Sequence, residues 1–131
     1  MERPAKKGGI MKRWSIVNPD PTLQNNLMAF GFEVGRGWLP LVYETLDKIQ
    51  AIVDGDKLDL EITQVKEKYG ELRIYTTGYT EKIDDIIQEA ADKSVTVCDQ
   101  CGKEGKLVQV RGWWMTRCEE CLRNMEKKNH A

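Results

Sequence analysis

All four cysteines of the chain fall into two C-x2-C pairs, Cys98 with Cys101 and Cys118 with Cys121, with sixteen residues between the pairs. No other feature restricts the fold as strongly. Two cysteines spaced by two residues can grip a metal from a tight turn, and two such pairs complete a tetrahedron. Gly102 follows the first pair, where the chain must turn sharply. The second pair runs straight into EECLRNMEKKN, a polar stretch of good helix formers without Gly or Pro. A first knuckle, a hairpin, and a second knuckle that opens a helix is the order of a treble-clef finger; a plain zinc ribbon would place the second pair in another hairpin. The spacing predicts one structural Zn2+, because four thiolates leave no coordination position for water or substrate. Four free or disulfide-bonded thiols are the alternative.

The compartment decides between these. The 131 residues are 40% hydrophobic and 31% charged, which fits one compact domain, or one with a small satellite, and excludes wholesale disorder. Apolar runs are only a few residues long, too short to span a bilayer. The basic start MERPAKKGGIMKRW lacks the apolar core and cleavage pattern of a secretory signal. A cytoplasmic location is expected, and a reducing cytoplasm disfavours disulfides.

Charge divides the chain into three parts. Residues 1–13 carry five basic and one acidic side chain, residues 14–95 eight and fifteen, and residues 96–131 seven and five. The expected organisation is a flexible basic tail (1–13), an acidic α+β core (14–95) and a four-cysteine zinc finger with a C-terminal helix (96–131). A tetrathiolate zinc site is itself doubly negative, so the finger comes to about zero net charge and is no basic patch for phosphates. Nucleic acid is therefore a possible partner but not the favoured one.

Periodicity supplies the core. Leu39, Val42, Leu46, Ile49 and Val53 recur at intervals of three and four, with Pro40 in the first turn and DGD (54–56) as a stop. Leu58, Leu60 and Ile62 alternate with Asp59, Glu61 and Thr63 as a strand; after a turn at Gly70, Leu72 and Ile74 alternate with Arg73 and Tyr75 as a second. Thr80 can cap a helix carrying Ile83, Ile86, Ile87, Ala90 and Ala91 on one side. The expected fold is thus α+β, helix-strand-strand-helix, with the finger docked as a lid through Val108, Val110, Trp113 and Trp114. As strand neighbours, Trp113 and Trp114 should point to opposite sides, one inward and one partly exposed as a contact anchor. The alternative packs both against the finger. The segment FGFEVGRGWLPL lacks the Lys and hydroxyl of a phosphate loop and reads as an ordered loop whose aromatics seal the core, with Arg36 as its one candidate anion contact.

No catalytic set can be assembled. His130, the one histidine, stands beside the C-terminus, and no thiol or hydroxyl has a histidine to activate it. A PD-(D/E)xK nuclease core would need a lysine where KEKYGELRIY has Arg73 after Glu71. Binding, not catalysis, is the expectation.

The stretches FGFEVGRGW, QVKEKYGELRIY and CDQCGKEG…RGWWMTRCEEC resemble a recurrent group of small bacteriophage and prophage proteins with a C-terminal four-cysteine zinc finger. The resemblance spans about residues 28–122 and leaves Met11 as a second candidate start. It implies that Cys98, Cys101, Cys118 and Cys121 are metal ligands, that Gly37, Trp38 and Gly70 are scaffold positions, and that the setting is a host cytoplasm. It implies no reaction. The expected partner is a host or phage protein, such as a defence factor whose nucleic-acid-binding surface is met by carboxylates at Asp84, Asp85, Glu89 and Asp92. Trp113, Trp114, Arg111 and Arg117 are the candidate contacts on the finger, and Lys103 and Lys106 would join the arginines if the ligand were nucleic acid.

Overall fold

The computed structural model describes residues 13–129, with side chains as far as Met125. The expected tail, apart from Arg13, and His130 lie outside the described residues. The class is mixed α+β.

Helix α1 (Leu39–Gly55) forms where the spacing places it, with Pro40 in its first turn and Val42, Leu46, Ile49 and Val53 buried along one face. Helix α2 (Glu81–Ser94) begins at Thr80, whose hydroxyl oxygen accepts the N–H of Ile83 at 3.2 Å. It packs against α1 and against the sheet. That sheet has the order β1 (Phe32–Glu33), β2 (Ile62–Lys68), β3 (Glu71–Thr76), with β1 parallel and β3 antiparallel to β2. No helix among the described residues is long and apolar enough to cross a membrane.

Two features of the core depart from the periodicity. The strand expected over 58–63 runs over 62–68 as β2, and a bulge between Ile62 and Gln64 resets its alternation. Ile62 and Val65, three apart, consequently both face the core. The segment ahead of β1 also belongs to the core. Trp14, Ile16, Val17 and Met28 are buried, and the N–H of Ile62 donates to the carbonyl of Ile16 at 2.9 Å.

Strands β4 (Lys106–Val110) and β5 (Trp113–Arg117) form a separate hairpin followed by helix α3 (Glu119–Asn129). This unit docks on the core, but not through the residues expected. Trp113 and Trp114 are 74% and 43% exposed, so neither enters the core, and Val108 and Val110 are only half-buried. The register explains the difference. Leu107 pairs with Thr116, and this part of the hairpin lies over Gly70: the Thr116 hydroxyl donates to the Gly70 carbonyl at 2.7 Å. Trp114, two residues back along β5, stays 43% exposed and lines a groove with Lys68 and Tyr69 of that turn.

Candidate metal centre

The four cysteines converge from two elements. Cys98 sits in a loop closed by its own N–H to the carbonyl of Lys103 at 2.7 Å and by the N–H of Gly102 to its carbonyl at 2.9 Å. Gly102 makes that turn at φ 82°, the left-handed region in which only glycine is unstrained. Cys118 lies between β5 and α3, and Cys121 lies in the first turn of α3, where its own N–H points at the Cys118 sulfur, 3.4 Å away. All four Sγ atoms lie within 4.8 Å of one another, an arrangement that can hold a metal ion. Cys101 and Cys118 sulfurs are 3.6 Å apart, non-bonded, and all four thiols are free.

The thiols are electrostatically unequal. Burial opposes ionisation of Cys98, but backbone N–H groups of Cys101, Cys118 and Gln100 outweigh it and bring the thiol down to about 7. Burial pushes the Cys121 thiol up, and the neighbouring sulfurs of Cys118 and Cys98 push it further. At Cys101 the Lys103 N–H favours the thiolate, yet burial and the Cys118 and Cys98 sulfurs prevail and raise it. Four thiolates in one place therefore need a cation to exist together.

The glycine loop turns out to be the seat of the first knuckle. The N–H of Gly37 donates to the carbonyl of Asp99 at 2.9 Å, and the indole N–H of the fully buried Trp38 donates to the carbonyl of Val97 at 2.7 Å. A Cβ at Gly35 would overlap the Asp99 carbonyl, and one at Gly37 the Cys98 carbonyl. Trp38 and half-buried Phe32 do seal the core, whereas Phe30 is 73% exposed. Asp99 is buried and accepts from Arg117 Nε at 3.1 Å, while Arg117 also reaches the Met125 sulfur. The knuckle is braced on both sides.

No family model, curated protein or solved structure matches the chain.

Of the other candidate residues, Asp84, Asp85, Glu89 and Asp92 are exposed on α2, Arg111 and Lys106 are exposed, and Lys103 lies 3.8 Å from Glu120. Arg117 is held in the ion pair with Asp99 and does not stand free. Sequence reasoning missed Tyr69 altogether. With Glu67 and Lys68 from the core, and Leu107, Trp113 and Trp114 from β4–β5, it lines an open groove between the two hairpin tips. Its only signal was its place before Gly70.

Proposed function

We propose that the chain is a phage-type, zinc-stapled module with a treble-clef finger, which acts by binding another protein. The observation that carries this reading is the exposure of three large aromatics, Tyr69, Trp113 and Trp114, on one groove. Aromatic side chains of this kind dominate interface energies when a partner desolvates them.

Zinc fits the donor set. Soft thiolates select it, and a tetrahedral ion with Zn–S of about 2.3 Å implies sulfurs about 3.8 Å apart, close to the Cys101–Cys118 separation. The ion would close the knuckles and hold the hairpin against the Gly35–Trp38 loop. Its role is structural, with no ligand position left for substrate.

A nucleic-acid reading is weaker by count of free cations. Of the four candidate cations on the described part of the finger, Arg117 and Lys103 have acidic partners, which leaves Arg111 and Lys106 beside an acidic core. The exposed carboxylates of α2 would repel a phosphate backbone but suit the basic surface of a host nucleic-acid-binding protein.

Affinity capture from a host lysate tests the reading, with wild-type protein, a Trp113→Ala/Trp114→Ala double variant and a charge-reversed α2 variant. A protein retained after nuclease treatment and lost with the tryptophans supports it. Capture that vanishes with nuclease, or that ignores the tryptophans, overturns it.

A further inference from the structure

The two hairpins that frame the groove are joined by the same kind of turn. Lys68 pairs with Glu71 across Tyr69–Gly70, and Val110 with Trp113 across Arg111–Gly112. Both central residues have positive φ in each case, 54° and 80° in the first and 52° and 85° in the second, which defines type I′ turns. The first position of such a turn is best filled by Asn, Asp or Gly. Here Tyr and Arg occupy it at a conformational cost, and both side chains are exposed; Tyr69 lines the groove, and Arg111 directly precedes its lining residue Gly112. A fold optimised for stability alone would have Asn-Gly at both tips.

The chemistry of the lining is lopsided. Among the described residues the indole N–H groups of Trp113 and Trp114 have no partner, and the Lys68 ammonium lies over the Tyr69 ring, 5.7 Å from its centroid. The one carboxylate, Glu67, accepts the N–H of Gly70 at 2.6 Å and is occupied in holding the turn. The groove therefore offers flat apolar walls and hydrogen-bond donors but few acceptors, with Lys68 as a cation in its lining and exposed Arg111 next in sequence to its lining residue Gly112.

We propose that this groove binds an extended polyproline-type peptide segment carrying carboxylates. Proline rings stack on aromatic walls, and such a backbone presents carbonyls with few N–H groups, which is what indole donors require. Lys68 and Arg111 would meet acidic residues flanking the prolines. A single-stranded nucleic acid could also stack on the aromatics, but it needs a continuous cationic track, and the lining supplies one lysine and one carboxylate. The groove takes one wall from the core and one from the zinc-held hairpin, so metal loading is a condition of binding.

This inference rests on the protein-binding reading above and names the partner's chemistry. The test titrates zinc-loaded, full-length protein with a short oligoproline peptide flanked by glutamates, following the Trp113 and Trp114 indole N–H resonances. The expected result is saturable shifts that disappear on chelation. Trp113→Ala and Trp114→Ala should each weaken binding about tenfold or more. Arg111→Glu should turn the preference toward a lysine-flanked peptide. Tyr69→Asn should raise Tm while weakening binding, a pairing that a merely structural tyrosine would not give. Resonances unmoved by the peptide, or moved instead by oligothymidine with strong salt dependence, would overturn the proposal. If the peptide fails while nuclease-resistant capture still depends on the tryptophans, the peptide chemistry is wrong and the protein-binding reading stands.

Discussion

Thr116 on β5 and Gly70 in the β2–β3 turn, 46 positions apart, are joined by a 2.7 Å hydrogen bond from the hydroxyl to the carbonyl, with both residues buried. Replacing Thr116 with valine keeps the shape and removes the donor, leaving the Gly70 carbonyl buried without it. The expected cost is about 1–3 kcal/mol, a loss of several degrees in Tm. Thr116→Ser should recover most of it. Equal melting of Thr116→Val and wild type would mean that the hairpin does not sit on the turn.

Gly37 should be irreplaceable for a reason of space. A methyl group there meets the backbone of the first knuckle, so Gly37→Ala must push Cys98 and Gly102 away from their positions. Strain of about 1–3 kcal/mol is expected, and because it falls on the ligand loop it should appear as a weakening of metal affinity of roughly 5- to 150-fold. Competition with a chromogenic chelator measures this directly. Gly55→Ala is the contrasting change: nothing lies within 4 Å of its Cβ position at the end of α1, and a small gain of about 0.5–1 kcal/mol is expected.

The parts legible in the sequence are those whose information is local. Helix α1 follows from its three-four spacing and its Pro40, and α2 from its Thr80 cap. The cysteine convergence follows from spacing alone. What was hidden depends on contacts between distant segments. Nothing near Ile62 announces a bulge, yet it turns both Ile62 and Val65 into the core. Gly35 and Gly37 look like loop glycines until the knuckle is laid on them. Strand alternation sends one tryptophan inward and one outward, but Leu107 and Thr116 hold the docking position over Gly70 and both tryptophans stay exposed, a matter of register that the sequence does not display.

Asp47 gives a pH dependence with a definite sign. The indole N–H of Trp14 at 2.8 Å, then the guanidinium of Arg13, hold its carboxyl below its ordinary value of 3.8, against an opposing effect of burial. A carboxyl whose folded value is lowered stabilises the protein fully above its unfolded value, and loses that contribution as pH falls through the folded value. Asp47→Asn should therefore melt below wild type at neutral pH, with the gap closing as pH drops below about 4. A gap independent of pH would show that the charge on Asp47 contributes nothing.

Metal removal should reach beyond the cysteines. Apart from the knuckle, the hairpin buries little of its own: Leu107, Gln109, Trp113 and Trp114 are all exposed. With a metal held by the four cysteines, the hairpin's order would come from the docking contacts and from that ion, since structural tetrahedral zinc sites release on the order of 10 kcal/mol, far more than one hydroxyl bond to Gly70. Chelation, or Cys118→Ser, should make the amides of β4 and β5 exchange quickly while α1 and the β2–β3 hairpin remain protected. The core should also melt earlier, because Trp38 loses the Val97 carbonyl and Gly70 loses Thr116. Hydrogen exchange resolves the two parts in one experiment. Fast exchange at β4–β5 with an unchanged core Tm would show that the metal orders the hairpin without coupling it to the core; protection throughout would show that the hairpin folds without metal.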